Sequence, residues 1–273
     1  MKDGVARAPV AALPMYGLPE LQDAQHQVWI GMRKALRAYG LQAPDRLSSG
    51  RARMDLWTDP ALVLGQTCGL PYALSLTEQV ELIGTPDYRL EGCPPGYYQS
   101  VILVRLEHRA TSLPDLVGAR FAVNERSSQS GYAALVMALQ PLAGRADFRV
   151  SFSFTGSHAQ SLQSVMNGTT DAVCMDAITW RLARRYQGAD RELRPIAATV
   201  PTPGLPLIAA RGQPIERIRA AIAMSFRTMA PSLKAIYGFG DMLPIAPQRY
   251  VEQLARLRRA EAVVLPRLNA TGL

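Results

Sequence analysis

Residues 120–132 read Arg-Phe-Ala-Val-Asn-Glu-Arg-Ser-Ser-Gln-Ser-Gly-Tyr, and this stretch decides the fold class. The apolar run Phe121–Val123 is typical of a buried strand, and the serine-rich segment after it is typical of a loop. A helical segment then continues to Leu139. A strand, a polar loop and a helix follow one another directly, which is the repeating unit of an α/β fold.

The same order of elements recurs further along the chain. Residues 148–154 alternate between aromatic or apolar and polar side chains, which predicts a strand. The spacing of Ser157 and Gln160 predicts a capped helix directly after it. Residues 171–175 predict another strand, and Asp176 stands at the start of the helix that follows.

The remaining elements are predicted from shorter patterns. Strands are expected at 9–16, at Met54 and Leu56, and at 62–64, 99–106, 195–200 and 206–210. Helices are expected at 20–39, from Asp59-Pro60, at 112–118, 215–229, 232–237 and 248–259.

This pattern predicts two α/β lobes, the second inserted into the first. We expect lobe 1 to comprise residues 1–106 and 194–273, and lobe 2 to comprise residues 107–193. The extended segments 99–106 and 194–200 would be paired crossovers between the lobes. Periodicity alone leaves open the alternative of one continuous doubly wound sheet.

Composition indicates an ordinary globular protein. The chain has 273 residues, of which 48% are hydrophobic and 19% charged, which is enough for a sizeable core. Its formal net charge is +8, and all but three of the 30 basic residues are arginine. Because the arginines are scattered, we interpret them as a composition bias and rank a nucleic-acid or regulatory binder last.

Motifs of several other classes are absent from the sequence. Three cysteines and three histidines have no metal-binding spacing, so no metal or cofactor is expected. There is no apolar run of membrane-spanning length, and no secretory signal follows Met1. Nucleophile-elbow, Walker and dinucleotide-binding motifs are also missing. The arginine clusters at 181–185 and 256–259 are interpreted as solvated faces, with a partner surface as the alternative.

Three junctions place small polar residues or glycine at the start of a helix, directly after a strand. They are Ser128/Ser130/Gly131, Ser157/His158 and Thr67/Gly69. A helix N-terminus offers free N–H groups and partial positive charge, so the set predicts an anion site. A serine at such a position can equally be only a cap.

Three further side chains are candidates for the same site. His158 could donate to an oxyanion or act as a general acid, or be a partly exposed first-turn residue. Asp176 could cap its helix or orient a ligand, and Tyr16 could wall a cleft or belong to the core.

Two segments of the chain resemble a known family. They are Asp115–Asn124 with Ser128-Gln129-Ser130-Gly131-Tyr132, and Phe154-Thr155-Gly156-Ser157-His158 with Val165, Gly168, Asp171-Ala172 and Asp176. Gln66–Pro71 and Pro203–Pro206 also fit. The family is the substrate-binding proteins of phosphate, phosphite and phosphonate ABC transporters, which have the type 2 periplasmic-binding-protein fold. The resemblance runs from about residue 8 to about residue 260.

The resemblance implies a two-lobed clamshell, each lobe a mixed sheet flanked by helices, that closes about a hinge on its ligand. Ser128, Gln129, Ser130 and Gly131 would hold an anionic group, and Ser157 and His158 would add donors. Asp176 would accept from the ligand or order His158, while Tyr16 and Thr67 would close the cleft from the other lobe.

The resemblance also implies partners and a compartment. We expect a small anionic or polar ligand, an ABC permease as partner, no cofactor and a monomeric chain. The family is periplasmic, but without a signal peptide the expectation is a cytoplasmic protein unless the start is misassigned. The alternative is a signal-less clamshell enzyme of a cofactor pathway acting on a small metabolite.

Overall fold

The computed structural model describes residues 7–268, and its elements alternate between strands and helices as the sequence predicts. The strands are β1 (Val10–Ala12), β2 (Leu62–Gln66), β3 (Val80–Pro86), β4 (Tyr97–Tyr98), β5 (Ser100–Arg105), β6 (Arg120–Val123), β7 (Ser151–Phe154), β8 (Ala172–Asp176), β9 (Leu193–Ala198), β10 (Thr202–Pro203), β11 (Leu207–Ala210) and β12 (Met242–Leu243). The α-helices are α1 (Gln22–Ala38), α2 (Arg53–Trp57), α3 (Gly69–Pro71), α4 (Ala134–Leu139), α5 (His158–Met166), α6 (Ala177–Gln187), α7 (Ile215–Thr228), α8 (Pro231–Tyr237) and α9 (Pro247–Val264). Two π-helical segments, Tyr72–Leu76 and Gln129–Ala133, continue α3 and precede α4.

The chain divides into two compact units. Unit 1 comprises the described residues up to Arg89 together with Pro203–Pro247, and unit 2 comprises Leu90–Thr202 together with the described residues from Gln248 onward. These boundaries differ from the expected ones at 106/107 and 193/194. The reason is that β5 pairs antiparallel with both β8 and β9, so β5 and β9 belong to the sheet of unit 2.

Unit 1 contains a five-stranded mixed sheet in the order β1-β2-β11-β3-β12. β1 runs parallel to β2, whereas β11 is antiparallel to both of its neighbours. Every residue of β2 is buried, and α1 buries Val28, Trp29, Met32 and Leu36. The spacing of these four residues places them on one face of the helix.

Unit 2 contains a second five-stranded mixed sheet in the order β7-β6-β8-β5-β9. β6, β7 and β8 are parallel, and β5 is antiparallel to β8 and β9. Buried side chains of β5 and β8 pack with Trp180 of α6 and Leu162 of α5 to form a core on one side of the sheet. This core holds α5 and α6 against the sheet.

Two local predictions were wrong. Met54 and Leu56 lie in helix α2, not in a strand, because a helical turn buries the adjacent side chains of Leu56 and Trp57 while Met54 stays exposed. Asp59 does not start a helix. Its Oδ1 accepts from the Ala61 N–H at 2.9 Å, and this turn leads into β2.

The sequence analysis also missed a strand, β3. Six of its seven residues are buried, so it lacks the alternation of a half-exposed strand.

Candidate ligand-binding site

Three helices of unit 2 begin just beyond the carboxyl ends of three neighbouring parallel strands. The segment Gln129–Leu139 follows β6, α5 follows β7 and α6 follows β8. Because parallel strands end at the same edge of a sheet, the three helix N-termini lie at one edge. Their free N–H groups and partial positive charges make this edge favourable for an anion.

The Ser128–Gly131 turn is buried and held from both sides. Ser128, Gln129 and Ser130 are 3%, 2% and 6% exposed. The Ser128 Oγ accepts from the Gly131 N–H at 3.0 Å, which caps the helix. The carbonyl of Ser130 accepts from the Ser100 hydroxyl at 2.9 Å. The turn is therefore fixed to the sheet rather than free to move as a surface loop.

Ser130, His158 and Asp176 come together at this edge. The Ser130 Oγ lies 3.1 Å from the His158 Nε2, and the same nitrogen lies 3.6 Å from the Asp176 Oδ2. A proton on Nε2 can be donated to either oxygen. The Ser130 hydroxyl and the His158 ring can thus supply hydrogen-bond donors to an anion, while the Asp176 carboxylate can accept.

Besides Ser128, two more predicted site residues act as helix caps. Asp176 is the N-cap of α6 and accepts from the Thr179 N–H and hydroxyl, both at 2.7 Å. Ser157 is the N-cap of α5 and accepts from the Gln160 N–H at 3.2 Å. Asp176 combines capping with its contact to His158, whereas the Ser157 Oγ also donates to the Gln160 side chain and is committed to the cap.

Asn124 lies at the same edge, and the sequence analysis did not select it. It follows the last residue of β6, is 8% exposed, and its Oδ1 has no hydrogen-bond partner within the described chain. A Cβ at position 131 would clash with this oxygen, so a side chain there would require Asn124 to move. Asn124 directly follows the apolar run Phe121–Val123, and a polar residue at the end of a predicted strand was the signal available in the sequence.

Tyr16 and Thr67 belong to unit 1, where they follow the neighbouring parallel strands β1 and β2. Thr67 is fully buried, and its N–H donates to the Pro206 carbonyl at 3.1 Å. Tyr16 has a φ of 59°, an uncommon left-handed conformation for a bulky residue. Its ring packs edge-to-face against Tyr88, with ring centroids 5.3 Å apart.

An aromatic cluster surrounds Tyr16 in unit 1. Tyr88 also contacts Phe239, and its hydroxyl accepts from the Gln66 side-chain amide at 3.0 Å. Tyr16, Tyr88, Phe239 and Gln66 line a cavity of about 30 Å³, room for about one water or methyl group. The sequence analysis proposed Tyr16 alone, because Tyr88 and Phe239 reach it only through the fold.

Comparison with known proteins identifies the family of this chain. Residues 64–250 match the family described as the periplasmic substrate-binding protein of the phosphonate ABC transporter. No curated protein sequence matches the chain.

Several solved structures superpose on nearly the whole chain. PhnD1 from Prochlorococcus marinus, in complex with methylphosphonate, has a TM-score of 0.72 at 16% identity and covers 92% of this chain and 97% of its own. XAC2383 from Xanthomonas citri, bound to ATP, has a TM-score of 0.67 at 17% identity, covering 94% and 98%. The binding-protein component PA3383 of an ABC phosphonate transporter from Pseudomonas aeruginosa has a TM-score of 0.66 at 15% identity, covering 97% and 90%.

The fold is that of the type 2 periplasmic binding proteins, with a mixed sheet flanked by helices in each of two units. The family match makes the class a substrate-binding protein. The family match covers more than half of the residues. The chain belongs to the family of periplasmic substrate-binding proteins of phosphonate ABC transporters. Across residues 7–268, none of the helices is long and apolar enough to cross a membrane.

Proposed function

We propose that this protein captures a small phosphonate-type oxyanion at the edge where β6, β7 and β8 end, and delivers it to an ABC permease. The observation that carries the proposal is the contact between the buried Ser130 and the partly exposed His158, at the edge where three helices begin. Oxyanions need several converging donors in a site with little water, and this edge supplies N–H, hydroxyl and imidazole groups.

Within this proposal each residue of unit 2 has a distinct role. Ser128, Gln129, Ser130 and Gly131 form the turn that holds the anion, and the N–H and hydroxyl of Ser130 would donate to it. The N–H groups of Ser128 and Gly131 instead hold the turn in shape through the Glu125 carbonyl and the Ser128 Oγ. Ser157 holds the start of α5 in place, so that His158 can donate. Asp176 orders His158 or accepts a hydrogen bond from a protonated ligand oxygen.

We also assign Tyr16 and Thr67 of unit 1 to ligand binding, with the aromatic cluster of unit 1 contacting the ligand's organic substituent. The relatives support a range of substituents, since PhnD1 was solved with methylphosphonate and XAC2383 with ATP. Closure would follow if the ligand binds the closed state better than the open one, and we propose that a monomer suffices for it.

Calorimetric titration tests the proposal directly. Wild-type protein is titrated with methylphosphonate, phosphite, phosphate and ATP, and the best ligand is then titrated into Ser130→Ala and Ser164→Ala. Ser164 lies near the other end of α5 and contacts Thr170 at 3.0 Å, so it is a matched control on the same helix as His158. We expect Ser130→Ala to weaken binding about tenfold and the control to leave it unchanged. Equal affinity in wild type and Ser130→Ala, or no oxyanion binding at all, would refute the proposal.

A phosphorus NMR experiment separates capture from catalysis. The wild-type protein is incubated with the phosphonate that binds best. We expect the phosphorus signal of the ligand to change on binding, and no signal from a new product to appear. His158→Ala should lose affinity only. Turnover by wild type that His158→Ala abolishes without loss of binding would instead establish an enzyme.

A further inference from the structure

A second polar cavity lies within unit 2, apart from the residues proposed above. It has a volume of about 140 Å³ and is bounded by α4, the 199–202 segment and α9. Pockets for drug-sized ligands are about 300–1,000 Å³, so this one suits a much smaller molecule. None of its lining residues is acidic.

Two arginines of α9, Arg256 and Arg259, line this cavity. They are three positions apart and therefore share one face of the helix. Arg256 donates to the Gln253 side-chain oxygen at 3.1 Å. Arg259 is exposed and has no hydrogen bond or ion pair with any residue in 7–268. Both positive charges therefore lack a carboxylate partner within the described chain.

The carboxylates on the same helix are engaged elsewhere. Glu252 pairs with Arg249 at 3.2 Å. Glu261 accepts from the Tyr132 hydroxyl at 2.7 Å. Neither lines the cavity, so the charge of the two cavity arginines is available to an external anion.

Two threonines of the 199–202 segment, Thr199 and Thr202, also line the cavity. Thr202 is 5% exposed, and its hydroxyl makes no hydrogen bond within the described residues. Thr199 is 8% exposed, and its Oγ1 accepts from the Ser100 N–H at 2.9 Å, which leaves its own hydrogen available to donate. The Thr202 hydroxyl lines a basic cavity and has no hydrogen-bond partner in residues 7–268. This available donor favours a ligand that accepts hydrogen bonds.

We propose that this cavity is a second binding site, for one small tetrahedral oxyanion of the phosphate type. Guanidinium groups match such anions with paired hydrogen bonds, and the two threonines and the Gln140 amide supply neutral donors. An anion bound there contacts both α9 and the 199–202 segment. This segment directly precedes the point at which the chain passes from unit 2 to unit 1, between residues 202 and 203. Inorganic phosphate and the phosphate group of a nucleotide present the same chemistry.

NMR of the nitrogen-15-labelled full chain tests this site separately from the first one. Inorganic phosphate is titrated at constant ionic strength, and AMP in a parallel series distinguishes the two phosphate sources. We expect saturable shifts of the amides near 140, 199–202 and 256–259. Responses at 128–131 and 158 report on the proposed ligand site, so failure of either site is visible without the other.

The matched variants are Arg259→Gln and Arg258→Gln. Arg258 is an exposed arginine on the same helix that does not line the cavity. We expect Arg259→Gln, whose side chain has no partner to lose, to keep the fold and to weaken phosphate binding about tenfold. Adding Arg256→Gln should abolish it, and Arg258→Gln should bind like wild type. Shifts near α9 that do not saturate, or that Arg258→Gln reduces as much as Arg259→Gln does, would overturn the proposal.

Discussion

The Ser130 Oγ and the His158 Nε2 lie 3.1 Å apart although 28 positions separate the two residues in the chain. The contact exists because β6 and β7 are parallel neighbours, so the helices that follow them start at the same edge of the sheet. The sequence around either residue gives no sign that the two side chains meet. Their meeting is a property of the sheet order β7-β6-β8.

Ligand affinity should show coupling between these two residues. We expect Ser130→Ala and His158→Ala each to weaken phosphonate binding about tenfold, because each removes a donor from the anion. Each substitution also removes the contact partner of the other residue. The loss of binding free energy in the double variant should therefore be smaller than the sum of the two single losses. Calorimetric titration of the four proteins measures this coupling, and strictly additive losses would show that the contact has no role in binding.

Gly131 should tolerate no side chain while Asn124 is present. In Gly131→Ala the new Cβ would lie 1.9 Å from the Asn124 Oδ1, so we expect a loss of about 1–3 kcal/mol in the free energy of unfolding. Asn124→Ala removes the obstructing oxygen, which has no partner within the described chain.

The double variant Asn124→Ala/Gly131→Ala should therefore recover most of the lost stability in urea unfolding. Gly144→Ala is the control, since nothing lies within 4 Å of a Cβ there. A Gly131→Ala protein as stable as wild type, or a double variant no better than the single one, would contradict this packing argument.

Local signals were sufficient for much of the fold and for half of the candidate site. The cap at Ser157 and the polar turn at 128–131 depend on residues a few positions apart, so the sequence displays them directly. The strand alternation at 148–154 was likewise visible, although β7 itself covers only Ser151–Phe154.

The missing parts depend on contacts between distant segments. β3 is buried on both faces, so it carries no alternation to detect. The cluster around Tyr16 needs Tyr88 and Phe239, which only the fold brings together. The boundaries of the units depend on the pairing of β5 with β9, which their extended character alone did not reveal.

Cys174 should be inert in the folded protein. Burial raises the pKa of its thiol to about 12, and the negative charge of Asp176 acts in the same direction. Since the thiolate is the reactive form, a disulfide reagent at pH 8 should modify only Cys68 and Cys93, which are partly exposed. The third thiol should react once urea unfolds the chain. Rapid labelling of all three thiols in the native protein, detected by mass spectrometry, would contradict the burial of Cys174.

Acid stability should depend on the pairing of Asp171 with Arg120. Burial of the Asp171 carboxyl opposes ionisation, but the hydrogen bonds and charge of Arg120 outweigh it and hold the carboxyl pKa below its ordinary value of 3.8. The carboxylate accepts from the Arg120 backbone N–H at 2.8 Å and from the guanidinium at 3.0 Å. A depressed pKa in the folded state means that the pair stabilises the fold above pH 3.8, and that this contribution is lost as pH falls further.

Asp171→Asn should therefore lower the free energy of unfolding by about 1 kcal/mol at neutral pH, a modest value because Arg120 is half exposed. Urea unfolding at several pH values should give a constant difference from wild type between about pH 5 and 7, and a shrinking one below 3.8. Asp190→Asn, at an exposed carboxyl with no ion pair in the described chain, should match wild type throughout. If the difference between wild type and Asp171→Asn grew toward acid pH, the pair would be stabilising the fold in its protonated form, and the assigned direction of the pKa would be wrong.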